Sequence, residues 1–117
     1  DNHAFHDWRD RAYLEGSKVP IHAGIMPITS REGLHRMAEL AAGTVFPAPL
    51  MKALSRCDDD SQSVAEVGVH WATEQCRDLL DHDVEGVHFY TLNQTDATRR
   101  IHRSLGVKTA RGLRNSR

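Results

Sequence analysis

Eight histidines, two cysteines and three consecutive aspartates are the residues of this chain whose types invite a chemical role. Histidine changes charge near neutral pH and is the commonest metal ligand. None of the eight, however, falls in HExxH or another zinc spacing: His3 and His6 are three apart near the N-terminus, and His22 and His88 lie inside strand-like stretches. A hydrogen-bonded strand histidine is the plain reading of His88, which could serve as acid or base only if it pointed into a pocket. Asp58, Asp59 and Asp60 directly precede an apolar helical run. Carboxylates there meet the unpaired N–H groups and positive dipole end of a helix start, so capping is expected rather than metal binding. Cys57 and Cys76 have no CxxC relationship and read as reduced thiols. No GxSxG, P-loop or GxGxxG is present.

Two short stretches remain. "VHFYTLNQT", Val87 to Thr95, begins as a half-buried strand and ends in polar residues, and "GIMPITS", Gly24 to Ser30, changes character in the same way. In parallel α/β sheets and barrels the carboxyl ends of strands carry the ligand sites, so both stretches are candidate rims. Barrels bind flavin or nicotinamide with such loops, and the missing dinucleotide motif therefore does not exclude these cofactors.

The elements that would position these rims follow from periodicity. Phe5, Trp8 and Ala12 recur at helical spacing before Gly16, predicting a helix from Asn2 to Glu15. Val19 to Ile25 reads as a buried strand, followed by a capping box between Thr29 and Glu32 and a helix from about Ser30 with Leu34, Met37, Ala38 and Ala41 on its apolar side. Thr44 to Phe46 reads as a brief strand before a short helix through "PAPLMKALS". The longest helix carries Val64, Val67, Gly68, Trp71, Ala72 and Leu79, and a last one, from Thr95 to Leu105, carries Ala97, Ile101 and Leu105 and stops at Gly106. Strands separated by helices run parallel, which gives a doubly wound sheet or a (β/α) barrel.

With 117 residues, 39% hydrophobic and 26% charged, the chain has the composition of one modest globular unit. No stretch reads as a membrane span or a signal peptide, and a cytoplasmic location is the default expectation. A net charge of −1 argues against nucleic-acid binding, and the basic residues of 107–117 read as a solvated C-terminal tail. Three strands leave open edges and an uncovered face, so the chain reads as a piece of a larger fold.

"PIHAGIMPITS" and "GVHFYTLNQT", separated by a Pro-containing segment, an Asp-rich cap and a long helix with "CRDLL", resemble the C-terminal part of methylenetetrahydrofolate reductases. The likeness runs from Asp1 to about Val107, and "HFYTLN", His88 to Asn93, is its most specific phrase. It implies an α/β fold, strands six to eight of a (β/α)₈ TIM barrel, over residues 1–106. It also implies FAD as cofactor, NADH or NADPH as hydride donor, and reduction of 5,10-methylenetetrahydrofolate to 5-methyltetrahydrofolate, a step of one-carbon metabolism toward methionine. Under this alignment Val19–Ile25, Thr44–Phe46 and Val87–Leu92 are the sixth, seventh and eighth strands. Most of the family's flavin contacts and its proton-donating glutamate would lie outside this chain, which is expected to need the N-terminal half of the barrel or another chain, and to be inactive alone.

The substrate-side positions that the resemblance carries over are Gly33, Met37, Leu92 and Gln94. Bacterial members have glutamine and phenylalanine at the first two, and an arginine that helps hold the folate at the last. No residue here is assigned as catalytic. The alternative expectation is a non-catalytic fragment or degenerate paralogue acting as a binding or interaction module.

Overall fold

A cap, not an apolar run, starts the chain's first helix: the Asp1 carboxylate accepts from the His3 backbone N–H at 2.9 Å, opening α1 (Asn2–Leu14). The computed structural model describes residues 1–57 and 60–106. Asp58, Asp59 and the expected basic tail, 107–117, lie outside the described residues. The remaining elements are β1 (His22–Ile25), α2 (Arg31–Leu40), α3 (Ala48–Ser55), α4 (Ser61–Asp81), β2 (Gly86–Phe89) and α5 (Asp96–Ser104).

The strands pair in parallel with His22 opposite Gly86 and Ile25 opposite Phe89, and the Tyr90 N–H extends the ladder to the Ile25 carbonyl at 2.9 Å. Their carboxyl ends therefore lie side by side, as the alternation of strands and helices requires. Both strands are shorter than the sequence suggests. Val19 is 66% exposed and Pro20 has no N–H to give a ladder, so β1 begins only at His22.

Thr44 to Phe46 is not a strand, and nothing stands between β1 and β2. The Thr44 N–H is taken by the Ala41 carbonyl in a turn, and Pro47 closes the segment without a donor. Three residues so confined offer a ladder less than the direct pairing of β1 with β2.

Helix starts follow local capping chemistry. Ser30, not Thr29, caps α2, its hydroxyl accepting from Gly33 N–H at 2.9 Å, while Glu32 turns to Arg36 at 3.3 Å. Asp60 caps α4, accepting from the Ser63 N–H at 2.6 Å. Those bonds, from the backbone and hydroxyl of Ser63, hold the Asp60 carboxyl below its usual range. Gly106, with φ +74°, ends α5 in the left-handed conformation that glycine takes without penalty.

One face of the sheet is covered. Ala23 and Ile25 pack with Val69, Ala72, Cys76 and Leu79 of α4, with Val84, and with Ala97 and Ile101 of α5. A second cluster joins Ile28, Leu34, Leu50, Leu54 and Val64, with Met37 against it. The other face of the sheet, bearing His22, Gly24, His88 and Tyr90, is exposed. Helix α1 departs from its expected stripe: Trp8 is 59% exposed, whereas Arg9 is buried with its guanidinium donating to the His82 carbonyl at 2.8 Å. The partner of α1 is the C-terminal end of α4, whose last carbonyls call for donors rather than apolar groups.

Candidate functional site

Both rims emerge at the same end of the sheet. After β1 the chain runs through Met26, Pro27, Ile28 and Thr29 to the Ser30 cap; after β2 it runs through Tyr90 and Thr91 into a tight turn. That turn places Leu92 at φ 48° and Asn93 at φ 66°, with the Gln94 N–H bonded to the Thr91 carbonyl at 2.8 Å. The left-handed region is uncommon for side-chain-bearing residues other than Asn and Asp, and costs about 1 kcal/mol or more at leucine. The turn holds Leu92 outward, 76% exposed. Across the gap the Thr29 Oγ1 comes within 3.5 Å of Gln94 Oε1, bringing the two rims together.

Between them lies a cleft of about 450 Å³, inside the range of roughly 300–1,000 Å³ that small-molecule sites occupy. Gly33, Met37, Leu92 and Gln94 all line it. Gly33 sits on the first turn of α2 and Met37 one turn later, so the helix presents both to the same side. Met37 packs on the second core cluster as well, and it also lines a neighbouring hollow together with Tyr90. Of the lining residues the sequence reading did not single out, Tyr90 and Arg36 matter most. Tyr90 stands over Gly24, where an added Cβ would meet its ring at 2.5 Å, and makes an edge contact with His88 at 4.7 Å between centroids. The alternation of β2 put Tyr90 and His88 on one face; Arg36 could have been found from its position one helical turn beyond Glu32.

His88 is exposed on the uncovered sheet face and does not line this cleft. The described residues bring together one other constellation of chemical interest, His6, Asp78 and His82, at the opposite end of α4 from the rim. His6 and Asp78 are 72 positions apart, and no local motif announces them.

The arrangement defines a class: an α/β protein whose parallel strands open their carboxyl ends onto a ligand-sized cleft bounded by a helix N-terminus and a strained turn. A family model, "Methylenetetrahydrofolate reductase", matches residues 1–106. Methylenetetrahydrofolate reductase (NADH) 1 of Arabidopsis thaliana is 39% identical over 92 residues, 79% of this chain and 15% of that protein. The probable methylenetetrahydrofolate reductase (NADPH) of Caenorhabditis elegans is 34% identical over 100 residues, 85% of this chain and 15% of that protein. The 5,10-methylenetetrahydrofolate reductase of Escherichia coli K12 is 30% identical over 101 residues, 86% of this chain and 34% of that protein. The chain belongs to the methylenetetrahydrofolate reductase family, whose fold is a TIM barrel. It spans about a sixth of the length of the eukaryotic relatives and a third of the bacterial one. No helix among the described residues is long and apolar enough to cross a membrane.

Proposed function

We propose that this chain forms the substrate side of a flavin-dependent reductase that converts 5,10-methylenetetrahydrofolate to 5-methyltetrahydrofolate with NADH or NADPH. The observation that carries the reading is that Gly33, Met37, Leu92 and Gln94 line one cleft at the carboxyl rim of the parallel strands. In this reading β1 and β2, which pair directly, are neighbouring strands in the C-terminal part of the barrel, and Thr44 to Phe46 belongs to the connection between them. The exposed sheet face with His22, His88 and Tyr90 faces the barrel interior, and residues outside this chain complete the fold.

Within the cleft, Met37 and Leu92 supply apolar walls for the folate's flat rings, and Gly33 leaves room beside the Ser30 hydroxyl. Gln94 offers an amide to the polar edge or the glutamate tail. FAD is the hydride carrier that the family implies. The described residues fit it poorly: Arg36 is the single cation lining the cleft, it is paired with Glu32, and the turn into α2 carries Ser30 in place of a glycine-rich phosphate cradle. Flavin binding is therefore assigned to the rest of the barrel, and the work of this chain is to hold and orient the folate and keep water from it.

The test is turnover of 5,10-methylenetetrahydrofolate with NADH and with NADPH by the completed, flavin-loaded barrel that contains this chain, and by its Leu92→Ala and Met37→Ala variants. Truncating an apolar wall that covers ligand removes about 1.5–3 kcal/mol, so each variant should raise the folate KM by tenfold or more. Absence of folate turnover with either donor, or a KM untouched by both truncations, sinks the reading. A second reading, a binding module without reductase activity, draws on one observation: no cation stands at Gln94 to meet the anionic tail. Folate binding without turnover in the completed, flavin-loaded barrel would select it.

A further inference from the structure

At the end of α4 remote from the rim, three metal-ligating side chains from two helices converge. His6 Nε2 lies 2.9 Å from Asp78 Oδ2, His82 Nδ1 lies 3.3 Å from Asp78 Oδ1, and the two imidazole centroids are 4.2 Å apart. One ligand atom from each residue falls within 4.8 Å of the others. We propose that His6, Asp78 and His82 form a binding site for a divalent transition-metal cation of the zinc class, joining α1 to the C-terminal turn of α4.

Four observations support the assignment. Asp78 and His82 are four apart on one helix and so share a face, the spacing at which a helix chelates a metal, while His6 supplies a third ligand from α1. Second, the spacing is nearly that of a coordination sphere: zinc bonds of about 2.0–2.1 Å in a tetrahedron set ligand atoms roughly 3.3 Å apart. His6 Nε2 and His82 Nδ1 stand at 2.9 and 3.3 Å from opposite oxygens of Asp78, and His82, half exposed, exchanges its 2.8 Å bond to the Asp78 backbone carbonyl for the cation as the three ligand atoms close in. Third, the outer shell is in place. The Asn2 amide donates to Asp78 Oδ2 at 2.8 Å and to the Gln75 carbonyl at 3.0 Å, and the His82 backbone carbonyl is held by Arg9 at 2.8 Å. Fourth, the donor set is two imidazoles and one carboxylate, which suits zinc, copper or nickel and not calcium or magnesium.

Affinity should be moderate. With His6 Nε2 on the cation, the ring proton moves to Nδ1, which is buried and without a hydrogen-bond partner, and the nearby Arg9 guanidinium adds positive charge. A micromolar dissociation constant with one cation per chain is the expectation, and the fourth position is left to water.

The experiment is calorimetric titration of Zn²⁺ into tag-free, chelator-treated protein, with His82→Ala, Asp78→Asn and His70→Ala alongside. His82 and His70 are both exposed, so their truncation does not threaten the fold. The expected result is saturable binding at one equivalent, weakened at least about tenfold, the lower bound for losing even an outer-shell partner, in His82→Ala and Asp78→Asn, and unchanged in His70→Ala. Saturating Zn²⁺ should also raise the melting temperature of the protein but not of His82→Ala, because a cation that binds only the folded state stabilises it. No saturable binding, or binding that His82→Ala leaves intact or His70→Ala weakens equally, overturns the proposal.

Discussion

Gly68 lies directly beneath the backbone carbonyl of Ile28: a Cβ built on the glycine would overlap the Ile28 oxygen. This contact fixes how closely α4 approaches the rim segment between β1 and α2. Because the obstructing atom is backbone, no side-chain rotation relieves it. Gly68→Ala should destabilise the protein by at least about 3 kcal/mol, the upper part of the range for overpacked sites. Urea denaturation checks this, and on the proposed reading the folate KM of the completed barrel should rise with it, since Thr29 and Ser30 must shift. A variant as stable as the parent would show that α4 can move away from the rim without cost.

On the proposed reading, the turn after β2 sets stability against folate contact at one residue. Leu92 sits at φ 48° with its side chain largely in solvent, so its left-handed backbone is not offset by burial within this chain. Leu92→Gly removes the left-handed penalty, about 1–2 kcal/mol, and adds unfolded-state freedom worth about 0.4–1 kcal/mol the other way. The expected outcome is stability unchanged or raised by up to about 1 kcal/mol in thermal or denaturant unfolding, with weaker folate binding. Loss of more than about 1 kcal/mol, well beyond what surface substitutions usually do, would place Leu92 in a packing role instead.

Cys76 makes a prediction that depends on pH. It is 1% exposed, and burial pushes its thiol up from the ordinary 9.0 to about 11. At neutral pH the protonated, enclosed sulfur should resist alkylation that the half-buried Cys57 undergoes, until denaturant opens the core. The linkage has a definite sign. A folded pKa above the unfolded one gives stability that is complete below pH 9 and falls as pH rises toward 11. Replacing Cys76 with alanine should flatten that alkaline decline while lowering stability at pH 7. Equal labelling of both thiols in the native protein would contradict the burial of Cys76.

How far the sequence revealed this structure depends on the range of the forces involved. The cap at Asp60, the stops at Gly16 and Gly106, and the inward set Ala97, Ile101 and Leu105 are settled within one or two helical turns, and all stand as read. Thr44 to Phe46 failed because a strand exists only through a partner, and periodicity says nothing about which neighbour has donors free. Thr29 failed by one residue: two adjacent hydroxyls compete for the cap, and Thr29 is drawn to Gln94 across the rim. The inward face of α1 stands only in part, with Phe5 packed on the first core cluster but Trp8 exposed, and for a different reason. An amphipathic stripe assumes an apolar partner, whereas the end of α4 rewards Asn2, His6 and Arg9. Of the cleft, the two rim phrases were legible; Tyr90 and Arg36 entered only once strand pairing and helix phase were known.

Gln94 gives the most direct test of what the cleft holds. Its side chain lines the cleft, is exposed, and among the described residues is met by Thr29 Oγ1 at 3.5 Å. If the anionic tail of a folate passes this edge, Gln94→Arg replaces a neutral amide with a charge-assisted donor, worth about 1.5–3 kcal/mol. The folate Kd should then fall roughly tenfold to a hundredfold, more for polyglutamylated forms than for the monoglutamate. The gain should shrink with added salt, because an exposed ion pair is screened over a Debye length of about 10 Å at 0.1 M. The Thr29 contact is too long to hold the turn, so the fold should tolerate the change, and unfolding measured alongside separates affinity from stability. An unchanged or weaker Kd in a stably folded variant would mean that the tail leaves by another path and that Gln94 is not at the folate.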